Sequence, residues 1–440
     1  MKCFMKVVCV ILSLCVVFLC GCSNNTAPNQ NYNDGVIGEN KNWNNEGSKS
    51  SGSFDLVEEA VIAEAVDGEA DVPVDAKAGT LTAGEWKDRL NIDDWVKLTA
   101  ENVWKHELQK RGLFSDSILP IHVTETSIWN NVYGAKVDLT DENGNVIYSA
   151  VTDINGMAYL FCPEAQISKM SRVMVNSTLV LLPEEQLRKP MEVSLDTTST
   201  ELKELDLLLM VDTTGSMGDE LECLKAELSD VVERVAKDTA LSIRISVNFY
   251  RDEGDEYVVK YFDFRNDVKE CVKQISEQSA DGGGDYPEAV HTALKNAVEE
   301  HEWRENAVKL CFLVLDAPAH DRDEVQDVDD TILHAVRTAA AQGVRIIPIA
   351  SSGVDKSTEI DLRSYAIMTG GTYIFLTNDS GVGNEHIEAS VGEYDVEPLN
   401  DCMVRVINEY CGVKTAIEPL PTEPVTEEPT TKNPNYPGNP

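Results

Sequence analysis

Basic residues are scarce in this chain: 37 Lys and Arg stand against 76 Asp and Glu, a formal net charge of -39. Such an acidic surface repels phosphate backbones and anionic lipid faces, so nucleic acid is excluded as an expected partner. Histidine is rarer still, with 7 residues in 440. No CxxC spacing or His cluster accompanies the cysteines, which removes structural zinc from consideration. The Gly-rich phosphate loop of nucleotide hydrolases is also missing. Ser216 lies in Thr214-Gly215-Ser216-Met217-Gly218, without the first glycine of a nucleophile elbow. His301-Glu302-Trp303-Arg304-Glu305 lacks the second histidine of a zinc-protease helix. His301 therefore reads as a helix-surface residue and His320 as a solvated loop residue, and no enzyme is expected.

Long apolar runs are confined to the beginning. Lys2 and Lys6 precede a run from Val7 to Leu19, too short for a comfortable membrane span and fitting an export leader. It ends in Leu19-Cys20-Gly21-Cys22, which is similar to the lipobox of bacterial lipoproteins. That resemblance implies a signal peptide over 1–21, lipid attachment at Cys22, and anchoring to the extracytoplasmic face of a cell membrane. Five of the 11 cysteines lie at or before Cys22. The others, Cys162, Cys223, Cys271, Cys311, Cys402 and Cys411, read mostly as buried small apolar residues, with a pair such as Cys223 and Cys402 left open.

From 22 to 79 the composition is Asn-, Ser- and Gly-rich, then acidic, which predicts a flexible tether. Residues 80–120 read as a short helical segment carrying Trp86, Trp95 and Trp104 in a helical-looking register, as packing residues. Over 121–200, short alternating runs separated by turn clusters predict a small β-sandwich of Ig-like type. Asn143-Gly144 and Asn155-Gly156 supply residues tolerant of positive φ for two tight hairpins. Asp141-Glu142-Asn143-Gly144-Asn145 reads as a hairpin tip, being too short for a calcium loop. Between 204 and 412 buried-type strands alternate with helices, predicting an α/β fold with a doubly wound, mostly parallel sheet. Strands are expected at 205–212, 242–251, 308–316, 344–350 and 372–376. Helices are expected at 219–237, 287–301, 325–342, 357–369 and 398–410. The tail over 413–440 is Pro-, Thr- and Glu-rich and expected to be disordered.

In such a sheet, ligands collect beyond the carboxyl ends of the strands. The first strand ends there in Asp212-Thr213-Thr214-Gly215-Ser216-Met217, which presents one carboxylate and two hydroxyls at alternate positions (Asp212, Thr214, Ser216), a hard-oxygen set suited to Mg²⁺ or Ca²⁺. The run resembles the DxSxS element of the metal-ion-dependent adhesion site in von Willebrand factor A domains. The resemblance implies metal ligation by Asp212, Thr214 and Ser216, with Asp316 completing the cluster from Leu315-Asp316-Ala317-Pro318. Gly282-Gly283-Gly284-Asp285-Tyr286-Pro287-Glu288 matches the family's middle loop but lacks its threonine, which makes Asp285 the candidate middle ligand. Asp285 could instead cap the following helix. The implied cofactor is Mg²⁺ (or Ca²⁺ or Mn²⁺), and the implied partner is a protein offering an acidic residue.

If Asp285 is a ligand, three carboxylates offset one dication and partner binding becomes gated. The family couples such gating to its last helix. Asp285→Thr is then expected to strengthen cation-dependent binding. Two other roles stand beside adhesion: an accessory subunit of an envelope transporter or secretion complex, and a spacer with a vestigial metal site.

Overall fold

The computed structural model describes residues 76–413 except Ile128, 163–171, 182–188, 198 and 239. The leader, Cys22, the tether up to residue 75 and the tail from residue 414 lie outside the described residues.

The main sheet is built from nearly uninterrupted apolar runs, as strands covered on both faces require. These are β9 (Glu204–Asp212), β10 (Ser242–Tyr250), β12 (Val308–Leu315), β13 (Val344–Ala350) and β14 (Tyr373–Leu376), all parallel. The short β11 (Val259–Lys260) closes one edge antiparallel to β10. The other edge differs from the sequence reading. β1 (Thr82–Trp86) lies antiparallel between β14 and β15 (Val396–Pro398), so the sheet runs β11-β10-β9-β12-β13-β14-β1-β15. Residues 80–120 therefore hold a sheet strand as well as helices. Trp86 belongs to β1, while Trp95 and Trp104 lie on α1 (Ile92–Thr99) and α2 (Asn102–Arg111) and pack edge to face at 6.3 Å. One helical register could not span all three. The tryptophans of α1 and α2 are core residues, as expected.

The helices α3 (Leu221–Asp238), α4 (Val268–Ser276), α5 (Val290–Glu299), α6 (Val328–Gln342), α7 (Lys356–Thr369) and α8 (Leu399–Tyr410) flank the sheet. All but α4 were expected. Two core clusters take opposite sets of residues from the same strand: Leu208 and Met210 enter one, and Leu207, Leu209 and Val211 the other. That alternation places one helical layer on each face.

Between β1 and β9 the chain makes two smaller sheets. β2 (Ile118–Glu125) pairs with β5 (Met157–Phe161) and β8 (Met191–Leu195). β3 (Lys136–Thr140), β4 (Val146–Val151), β6 (Arg172–Val175) and β7 (Thr178–Leu181) form the second, in the order β4-β3-β6-β7. The sandwich reading holds, but the module interrupts the main sheet in sequence instead of preceding it. In both expected hairpins only the glycine takes positive φ, Gly144 at 87° and Gly156 at 71°. The preceding Asp141 and Asp153 each accept two backbone N–H groups at 2.8 to 2.9 Å, fixing the turns as hairpin tips.

The module is locked to the main body. Tyr148 donates its hydroxyl to Met368 O at 2.6 Å, and Arg345 donates to Val151 O at 2.7 Å. Cys162, Cys223, Cys271, Cys311, Cys402 and Cys411 are all buried, and Cys223 and Cys402 are separate thiols that do not pair with each other. No described helix is long and apolar enough to cross a membrane.

Candidate functional site

Strand order reverses about β9: β10 lies on one side and β12 on the other. The loops leaving β9 and β12 therefore part and leave a crevice at the sheet's carboxyl edge. Asp212 ends β9 and Asp316 follows β12, and both are buried. Asp212 Oδ1 accepts the Thr214 N–H at 2.8 Å and the Thr214 hydroxyl at 2.7 Å, while its Oδ2 is buried without a hydrogen-bond partner. The Thr214 and Ser216 hydroxyls lie 3.1 Å apart, and Ser216 is near enough to Asp316 to favour its ionised carboxylate. Asp316 Oδ1 is a second buried oxygen without a partner. Four of the residues expected from sequence thus converge, with Thr214 fully buried and Ser216 exposed where the crevice opens.

Asp285 does not join them. It is exposed, and its carboxylate lies beside His320 and Glu324. Nor does it cap the next helix, whose N-cap is Ala289 without a side-chain bond. The third carboxylate of the cluster is Glu288, three residues later and buried. The backbone decides this: Glu288 N donates to Pro318 O at 2.9 Å and residue 288 pairs with Ala319, clipping the middle loop to the loop after β12. Glu288 Oε2 is a third buried oxygen with no partner.

Three carboxylates in one dry pocket cannot all ionise cheaply without a counter-charge. Burial, reinforced by Asp212, Asp252 and Asp316, pushes the Glu288 carboxyl up to about 9. Burial likewise raises Asp212 and Asp316, and each raises Glu288 in turn. The buried Tyr250 hydroxyl, beside Asp212, is pushed well up by burial and then by Asp212, Asp316 and Glu288. Buried polar atoms left unpaired are costly and uncommon, so their convergence at one point calls for an occupant. An oxygen-only set with three negative charges fits a hard divalent cation.

The middle loop can approach this closely because of its glycines. Gly282 and Gly283 have φ of 78° and 75°, and a Cβ on Gly283 would lie 3.0 Å from Glu288 Oε1 and 3.4 Å from Thr214 Cβ. Gly215 N donates to Gly282 O at 3.1 Å, tying the first and middle loops together. Where the family's threonine is missing, Tyr286 turns away and donates its hydroxyl to Gly353 O at 2.7 Å.

Both neighbouring histidines differ from expectation. His301 is buried, with Nε2 2.9 Å from Asn248 Nδ2, and it packs against Tyr261 and Phe264. His320 is buried too, with Nε2 2.6 Å from Asp252 and Nδ1 3.1 Å from Glu324. A cleft of about 600 Å³ lined by Tyr133, Lys309 and Arg345 opens at the start of β12 and β13, the far end of the strands, and includes none of the expected site residues.

Residues 206–378 match the family model of the von Willebrand factor A domain. The chain carries a von Willebrand factor A domain. The matched span runs from within β9 to just past β14 and includes every residue of the cluster. Two curated proteins share the similarity. An ariadne-like RING finger protein of Acanthamoeba polyphaga mimivirus is 30% identical over 123 residues, 28% of this chain and 12% of that protein. The alpha-protein kinase vwkA of Dictyostelium discoideum is 31% identical over 118 residues, 26% of this chain and 19% of that protein. The chain thus spans less than a fifth of either relative's length. Among solved structures, the conserved hypothetical protein BatB from Bacteroides thetaiotaomicron aligns with TM-score 0.33 and 12% identity, covering 47% of this chain and 99% of that one. A domains commonly serve as protein-interaction modules.

Proposed function

We propose that this protein is a membrane-anchored, extracytoplasmic lipoprotein whose A domain binds a protein partner through a divalent cation. The observation that carries the reading is the set of buried oxygens without partners on Asp212, Glu288 and Asp316, with the Thr214 and Ser216 hydroxyls beside them. Mg²⁺, Ca²⁺ or Mn²⁺ would be held there, and the cation would supply a positive centre for an acidic side chain of the partner. The exposed Ser216 edge is where that side chain would enter. Glu288 takes over the gating role expected of Asp285, since it is the carboxylate in the pocket that competes with the partner's own.

The test is Mg²⁺-dependent capture from envelope extracts. The parent protein is expected to retain a partner in Mg²⁺ and release it in EDTA, and Asp212→Ala is expected to retain none while staying folded. Equal melting of the parent with and without Mg²⁺ or Ca²⁺ would sink the cation reading. The anchor is tested separately: Cys22→Ala is expected to abolish acyl labelling and detergent partitioning, and unchanged partitioning would refute lipidation at that residue.

A further inference from the structure

We infer that His320 is a proton-operated latch: as an imidazolium it bridges Asp252 and Glu324 and fastens the loop after β12, and on losing a proton to solvent it slackens that loop. The geometry requires the charge. His320 Nε2 lies 2.6 Å from Asp252 Oδ1 and Nδ1 lies 3.1 Å from Glu324 Oε2, so both ring nitrogens meet carboxylate oxygens. Ionised carboxylates only accept, and only the imidazolium donates from both nitrogens. Burial opposes a charge here, but the contacts with Asp252 and Glu324 outweigh it and hold the imidazole above its ordinary value.

The charged groups on the surrounding elements leave that balance in place. From the middle loop the exposed Asp285 carboxylate adds a further negative charge nearby. On α5 the buried His291 ring stands 6.2 Å away, and burial holds it below its ordinary value although Glu253 lies 3.8 Å from it. On α2, Arg111 donates to the carbonyls of Ala319 and His320, while its charge is met by Asp329 and Asp361. Lys110 of the same helix is taken by Asp321 at 2.6 Å.

The latch closes a ring of three loops at the carboxyl edge of the sheet. Asp255 after β10 accepts the Gly283 N–H of the middle loop at 2.9 Å, Glu288 N donates to Pro318 O at 2.9 Å, and His320 returns to Asp252. Only the last tie depends on an imidazole. When the ring loses a proton, its one remaining N–H goes to the buried Asp252 and the exposed Glu324 is released. The bond that stays loses its charge assistance, roughly half its strength. The loop that clips Glu288 into the pocket slackens with it.

The test uses full-length protein in detergent and EDTA. The His320 ring signal is followed by NMR, assigned by its loss in His320→Gln, and hydrogen exchange over residues 317–327 is measured by mass spectrometry with the intrinsic pH dependence of exchange removed. The His320 midpoint is expected above the ordinary 6.5, and lower in Glu324→Gln, a change at an exposed position. Protection over 317–327 is expected to fall about tenfold as pH passes that midpoint, the loss of one charge-assisted bond. Glu288→Gln should show the same fall, which separates the latch from the proton on Glu288, and His320→Gln should show none. A midpoint at or below the ordinary value, protection that does not follow the midpoint, or an unchanged fall in His320→Gln would each overturn the inference. None of these readouts uses the cation, so failure of the cation reading leaves them intact.

Discussion

Glu288 shows how a single backbone clip chooses between two carboxylates three residues apart. Its bond to Pro318 O turns it into the pocket, where burial and three acidic neighbours hold its proton up to about 9, against an ordinary value of 4.5. Between those values the folded state binds more protons than the unfolded chain, so stability falls as pH rises. In EDTA, the melting temperature is therefore expected to drop steadily from pH 5 to pH 9. Glu288→Gln should flatten most of that slope and raise the melting temperature at pH 8. Saturating Mg²⁺ should raise the parent's melting temperature most at high pH, where ionised carboxylates pair with it. Identical slopes for parent and Glu288→Gln in EDTA would show that the carboxyl does not carry its proton into that range.

Among the elements, the five central strands were legible because each is a buried apolar run bounded by polar residues, and their ends lie within a residue or two of expectation. Asp212 and Asp316 were legible because a strand's carboxyl end fixes where the next side chain goes. Glu288 was not, since its burial depends on a contact with Pro318, a residue thirty positions away in the chain. His301 and His320 were misread as surface residues for the same reason: their partners Asn248, Asp252 and Glu324 come together only in the fold. The strand β1 was hidden because its five residues include Gly84, and its pairing partners lie at residues 373–376 and 396–398.

What holds β1 is legible in hindsight as a charge with no local partner. Glu227 on α3, fully buried, accepts the backbone N–H groups of Gly79, Thr80 and Leu81 at 2.8, 2.9 and 3.0 Å. Glu227→Ala leaves the buried Leu81 donor unpaired, whereas water can reach Gly79. The expected cost is about 1–3 kcal/mol, read as a melting temperature lower by several degrees. Glu227→Gln, which keeps an acceptor, should lose less. Equal loss in the two variants would assign the effect to packing instead of the three bonds.

At the scale of the whole molecule, the span that matches the A-domain family is not a self-sufficient body. Leu81, just before β1, and Ala83 on it enter the core around Leu399 and Met403, and β1 is the strand that joins β15 to β14. Just after it, Asp88 pairs with Arg363 of α7 at 2.6 Å, both buried, and the Arg363 guanidinium lies 5.1 Å and 5.4 Å over Trp95 and Trp104. Arg111 on α2 meets Asp329 and Asp361 at 2.9 and 3.1 Å, again in the interior. A fragment beginning at residue 204 removes Asp88 and Arg111, so Arg363 is left with Glu359, Asp329 with Arg322, and Asp361 loses its Arg111 pair. Breaking one such pair costs on the order of 3–5 kcal/mol, and the exposed edge of β14 adds an aggregation risk. Residues 76–413 are therefore expected to melt cooperatively as a monomer with Mg²⁺-dependent stabilisation. Residues 204–413 are expected to aggregate or to melt at least 10 °C lower, a shift on the scale of several kcal/mol. Circular dichroism melts and size-exclusion chromatography of the two fragments decide the matter. Matching melts and matching Mg²⁺ responses would mean that the residues before β9 decorate the A domain without completing it.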